Sequence, residues 1–169
     1  QTIGKGQNGS DSGTLQNNGT DAQDVYLTTV TLPGITERTT VSSLKAVIGG
    51  TGYSYGFKDT DSDGKLYLYL PLGACSLQMK ADTYSYAASL TVDSTEENTV
   101  TANDLSSTNI TIDTAGTYVL AGSTTSNKIV VNGGTKTEPV NITLGGVSID
   151  LSSAGGCAFE LQNHSFVNL

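Results

Sequence analysis

The period of its apolar residues constrains this chain more than any other feature. Runs such as DVYLTTVTLPG, KLYLYLPLG and YSYAASLTV alternate apolar with polar positions, and a period of two sets one row of side chains on each face of a pleated strand. No window sustains the 3.6-residue apolar repeat of an amphipathic helix. Glycine, asparagine, aspartate and serine break the runs at roughly ten-residue intervals, the spacing of short strands joined by tight turns. Val, Ile and Thr fill the strands because branched side chains fit a pleated surface. The expected fold class is all-β.

The runs divide the chain. Residues 1–20 are polar and glycine-rich and read as a lead-in with little to bury. Residues 21–93 hold about six short strands with regular turn signals, the pattern of a small β-sandwich. Residues 94–108 are polar and read as a linker. From residue 109 to 169 the runs shorten to NITID, TYVLAG, KIVV, VNITLGGVSIDL, CAFEL and SFVNL, and VNITL returns as FVNL while KIVV returns as CAFEL. Coils that repeat short strands stack rung on rung, so a parallel β-helix is expected here. The chain ends on a strand at Leu169 with no polar cap, and Gln1 opens no signal peptide. Solenoid ends are normally capped, so the parent polypeptide is expected to continue past Leu169 and to be a partner, while the start at Gln1 reads as that of a mature protein or an excised fragment.

The densest chemistry lies in YSYGFKDTDSDGKLYLYLPLG, residues 53–73. Its aspartates Asp59, Asp61 and Asp63 followed by Gly64 match the first half of a calcium loop, alternating carboxylates before a sharp bend. An EF-hand fails, because its twelfth position is Leu70 and its flanks are strands. A looser calcium site on the three aspartates stays open, beside the plainer reading of an Asp63-Gly64 hairpin in which both turn residues take positive φ. Tyrosines come in pairs: Tyr53/Tyr55, Tyr67/Tyr69 and Tyr84/Tyr86. Leu66, Leu68 and Leu70 would face the core and Tyr67 and Tyr69 the outside. If the two flanking strands pair across the turn, Tyr53, Tyr55, Tyr67 and Tyr69 form an aromatic ladder. Such a ladder suits sugar rings, or serves only cross-strand packing.

Other classes are disfavoured. A net charge of −8 with a single arginine, Arg38, opposes nucleic acid as a partner. No apolar run reaches the ~18 residues of a membrane span. His164 is the only histidine, which leaves no histidine metal set and a poor basis for a serine triad. Asp113, Asp150 and Glu160 are the carboxylates a glycosidase would draw on, and Lys128 and Lys136 the only bases for lyase chemistry in the second half. Cys75 and Cys157 read either as a disulfide or as two small buried apolar residues. Asn-x-Ser/Thr triplets at Asn8, Asn18, Asn109, Asn141 and Asn163 are expected by chance in a chain so rich in Ser, Thr and Asn.

The segment TDSDGKLYLYLPLGACSLQMKADTYSY resembles the end of the transthyretin-like repeats of bacterial surface proteins, departing at Cys75, where that pattern has a tyrosine. The segment from GTYVLAG to FVNL resembles the opening rungs of the right-handed β-helices of large secreted proteins from anaerobic Gram-positive bacteria, some of them labelled carbohydrate-binding. QTIGKG and DSGTLQNNG resemble the closing edge of such a helix. The resemblance implies an immunoglobulin/transthyretin-like sandwich, then a right-handed parallel β-helix, in an extracellular or cell-surface protein. It implies a non-catalytic module for adhesion or glycan binding, with glycans or a host surface protein as partner. A β-helix polysaccharide lyase or hydrolase, a spacer, and an immunoglobulin-binding module are the alternatives. Some related sandwiches carry a Lys–Asn cross-link; here no glutamate partner is identifiable, and Lys45 is the strand lysine to inspect.

Overall fold

The structure, a computed structural model, describes residues 13–17, 21–56, 58–95 and 97–169. The fold is all-β, in several sheets. Its strands are β1 (Gly13–Asn17), β2 (Asp21–Thr31), β3 (Thr40–Ile48), β4 (Thr51–Tyr55), β5 (Lys58–Asp59), β6 (Lys65–Pro71), β7 (Gly73–Ala81) and β8 (Tyr84–Val92), followed by β9 (Asn98–Thr101), β10 (Ile110–Ile112), β11 (Gly116–Thr124), β12 (Ile129–Val131), β13 (Val140–Ile149), β14 (Phe159–Leu161) and β15 (Val167–Asn168).

Two sheets face each other across the first core. One runs β1-β2-β6 with β9 beside β2, and the other includes β4-β3-β7-β8 with β5 on β3. Alternation decides what lies between them. Leu66, Leu68 and Leu70 of β6 point inward, as do Cys75, Leu77, Met79 and Ala81 of β7, against Val41, Leu44 and Ala46 of β3. Burying each of the leucine, valine and methionine side chains contributes roughly 1.5–3 kcal/mol, and the alanines less. Thr28 of β2 lies in the same layer, fully buried, with a hydroxyl that finds no partner.

The second core belongs to a stack of parallel strands. β10, β12 and β14 form one sheet, with Ile110, Ile129 and Phe159 in register. β11, β13 and β15 stack likewise, Val140 lying between Gly116 and Val167. The interior is Ile112, Leu120, Ile129, Val131, Val140 and Ile142, plugged by Leu105. In-register stacking places like side chains above one another. The amide of Asn168 donates to Asn141 (2.8 Å), and Asp113, Asn132 and Asn163 form a second polar ladder with steps of 3.4 and 2.5 Å. Laddered amides satisfy each other along a stack, which gives Asn141 and Asn163 a structural role. Asn109 also has one, accepting from the Lys128 backbone N–H; Asn8 and Asn18 lie outside the described residues.

The two cores share a sheet, because β8 pairs in parallel with β11 at Tyr84 and Thr117. Beyond that pair the strands diverge and Asn103 fills the wedge. Its Oδ1 accepts from Ala87 N (3.0 Å), and its Nδ2 donates to Ser85 O and Val119 O (3.0 Å each). Its own backbone donates to Ala87 O and accepts from Ala121 N. It does so at φ 51, a left-handed conformation that asparagine tolerates better than most residues. The adjoining bulge at Gly122 has φ 99, and a Cβ there would lie 2.0 Å from Asp104 Oδ1, so only glycine fits.

Several expectations are corrected. Residues 94–108 do not behave as a polar linker: they carry β9, parallel to β2, and bury Ala102, Asn103 and Leu105. The strands of Tyr53 and Tyr67 do not pair. β4 pairs with β3 and β6 with β2, in opposite sheets. The 61–65 turn closes, Asp61 N donating to Lys65 O, but only Gly64 takes positive φ, and Leu32 N docks on its carbonyl. The turn hands the chain from one sheet to the other. Cys75 is buried and Cys157 exposed outside any strand; neither is in a disulfide. Lys45 is exposed, away from the buried setting a cross-link needs.

Asn103→Ala orphans a buried N–H and two carbonyls and should cost about 2–4 kcal/mol in urea unfolding. Asn103→Gly, which relieves the backbone strain, should lose nearly as much. Thr28→Val removes the orphaned hydroxyl and should raise stability by about 1 kcal/mol in the same assay.

Candidate functional site

An open groove of 590 Å³ runs along the seam between the two cores. Its floor is the solvent face of the shared sheet. Because Leu44, Leu77 and Ala88 turn inward, their neighbours Lys45, Gln78, Ala87 and Ser89 turn out into the groove. Its far wall is the segment that enters the first rung, from Ser107 through Asn109 and Thr111 to Thr114, with Tyr118 behind it. A smaller hollow of 360 Å³, bordered by Thr31 and Thr99, prolongs it past Ser89 and Ser107.

The lining is hydroxyl-rich and small. Ser85, Ala87 and Ser89 keep the floor low, and Ser107, Thr108 and Thr111 line the wall with donors and acceptors. The Tyr118 hydroxyl meets Thr114, 3.0 Å from its Oγ1 and 3.1 Å from its carbonyl, which fixes the ring at the rim. Asp104 is committed to Ser106, through the backbone N–H at 2.9 Å and the hydroxyl at 2.8 Å. Open clefts lined by many hydroxyl and amide groups over a low floor suit polyhydroxylated ligands.

The residues singled out from sequence lie elsewhere. Tyr53 is exposed on β4, and Tyr55 is half-buried against the first core, where burial pushes its phenol up. Tyr67 is exposed on the opposite sheet and Tyr69 half-buried beside it, so no common aromatic ladder forms. Leu66, Leu68 and Leu70 do alternate with these tyrosines as expected. The aspartates serve the turn. Asp59 accepts from Thr40 Oγ1 (2.9 Å) and pairs with Arg38 (2.8 Å), in that order holding its carboxyl below the usual range. Asp61 Oδ1 takes the backbone N–H groups of Asp63 and Lys65 (2.9 Å each), and its Oδ2 takes the Tyr67 hydroxyl at 2.8 Å. Desolvation works to raise Asp61, but the bonds from Lys65, Tyr67 and Asp63 outweigh it and leave the carboxyl lowered; Tyr67 is raised by the same bond. Among the described residues no three His, Cys, Asp or Glu side chains group as metal ligands.

The acid–base candidates each have partners of their own. Glu160 pairs with Lys128 (2.5 Å), which lowers its carboxyl; Asp150 is held by Ser152, first by its side chain and then its backbone N–H; Asp113 belongs to the amide ladder. His164 is exposed in a left-handed turn. Among the described residues no helix is long and apolar enough to cross a membrane.

A family model described as a carbohydrate-binding domain-containing protein matches residues 106–169. The match spans the groove's far wall and the stacked rungs and leaves the sandwich outside. No curated protein matches the chain. Nothing in the sequence pattern alone marked the groove, because its two sides come from segments far apart in sequence that meet where β8 joins β11 and Asn103 fills the wedge.

Removing the Tyr67 hydroxyl tests the turn. Because the carboxyl of Asp61 is lowered, its contribution is full above the ordinary carboxylate value of about 3.9 and is lost as pH falls through its own lower value. Tyr67→Phe should raise the Asp61 titration toward the ordinary value, read by carboxyl carbon NMR.

Proposed function

We propose that this chain is a non-catalytic glycan-binding module, displayed outside the cell in an adhesion role, and that the groove along the seam holds the sugar. One observation carries the reading: the hydroxyl-lined wall of the groove falls inside the segment matched by the carbohydrate-binding family model. The floor comes from the sandwich, so the site is composite. Sugar rings would lie on the low Ser85–Ala87–Ser89 strip, with ring hydroxyls exchanging water for the serines, threonines and Asn109 on either side. Tyr118 supplies an aromatic edge at the rim. The rung stack is read as the opening of a right-handed parallel β-helix, with residues 21–101 as the sandwich and 102–108 as the plug between them. That division gives residues 94–108 to the two packed bodies rather than to a linker.

The reading needs no metal. Glycan binding should be the same with added calcium and with EDTA, since Asp59 and Asp61 already spend oxygens on protein donors.

Ala87→Trp tests the site. Ala87 is exposed on the floor, so an indole there fills the groove without entering either core. On a glycan array the substituted chain should lose the binding that the unmodified chain shows, with its thermal midpoint unchanged. The Tyr53→Ala/Tyr67→Ala chain should keep that binding. Loss in the tyrosine variant alone would return the site to the sandwich tyrosines.

A further inference from the structure

We infer that the groove selects anionic glycans, those bearing carboxylates such as uronic acids, through Lys45 and Lys80. The inference rests on the reading of the groove as the glycan site and adds the class of ligand. The chain is strongly acidic, at −8, yet the floor of its main groove carries two lysines. Their placement follows from register. Lys45 of β3 lies opposite Gln78, and Lys80 of β7 opposite Ser43, so the two are diagonal neighbours on one face. Diagonal pairs across antiparallel strands are about 7–8 Å apart, close enough for two long side chains to reach one carboxylate.

Like charges held this close repel, and a carboxylate between them would relieve the repulsion. Here neither lysine is ion-paired: the pairs among the described residues join Arg38 to Asp59 and Lys128 to Glu160. The carboxylates that border the groove are engaged by other donors. Asp104 accepts both the backbone N–H and the hydroxyl of Ser106, and Asp113 accepts from Asn132. The groove is therefore polarised, cationic where β3 and β7 form its floor and hydrogen-bonding along the 107–114 wall. A neutral sugar leaves the two ammonium groups unused. A uronic acid places its carboxylate between them and its hydroxyls toward Ser89 and Thr111, and the bond gains from the partial exclusion of water in a cleft.

The test is isothermal titration of the whole chain with hexasaccharides of polygalacturonate, alginate and hyaluronan, each also in a form with its carboxylates reduced to alcohols. At least one acidic hexasaccharide should bind about tenfold tighter than its reduced form at low salt, and the gap should narrow as salt rises. Lys45→Ala/Lys80→Ala should close the gap, and Lys45→Arg/Lys80→Arg should preserve it. Reduced forms that bind as tightly as the acidic ones, and lose binding with Ala87→Trp, would overturn the anionic preference while leaving the groove as the sugar site. A gap that survives the double alanine change would also overturn it. Silence from all the acidic and reduced hexasaccharides would overturn both readings.

Discussion

Where strands β8 and β11 part, the amide of Asn103 stands in for a missing strand. It accepts from Ala87 N and donates to Ser85 O and Val119 O, while the Asn103 backbone carbonyl accepts from Ala121 N. Every polar atom of a residue only 6% exposed is thus committed to one of the two cores. A buried amide that is fully bonded adds rigidity, and one left partly bonded would be costly. Without it the shared sheet would end in a wedge of open peptide groups, and the rungs would be held to the sandwich only by the Tyr84–Thr117 pairing and the packing around Val119.

The groove is a consequence of that junction. Leu105 follows two residues later, plugs the rung interior, and turns the chain out along Ser106 to Asn109 before β10 begins. That excursion builds a wall parallel to the outer face of β8 and leaves a trough between. Val119, on the sandwich-facing side of β11, packs where Gly34 turns, a Cβ on which would meet its methyls at 3.2 Å. Tyr86 reaches across the same corner to Pro33 O at 2.7 Å. Each of these contacts joins segments far apart in sequence, so the trough has the stiffness of a packed interface rather than of a loop.

Local pattern made much of this legible. The alternation of β6 and β7 told inside from outside residue by residue, and the return of KIVV and VNITL announced the stacked rungs. Pairing partners were not legible. Asp63-Gly64 between two alternating strands is a hairpin signal, yet β5 had already paired with β3, and the turn became a corner between sheets. The single four-tyrosine ladder is absent for the same reason, since it depended on that pairing. Residues 94–108 look polar because many of their side chains bond rather than pack: Asn98 holds Asp93, and Asn103 ties two strands, β8 and β11. A polar string that serves as structural cement is indistinguishable from a linker until its partners are known.

The account stands on the groove as the place where sugar meets protein. Amide chemical-shift mapping of the whole chain during titration with a bound glycan tests it most directly. The account predicts that the largest shifts fall on both sides of the seam, at Lys45, Ala87 and Ser89 and at Thr108 to Thr111, while Tyr53 and Tyr67 stay in place. Shifts confined to the strands of those two tyrosines, or to the rungs alone, would contradict it.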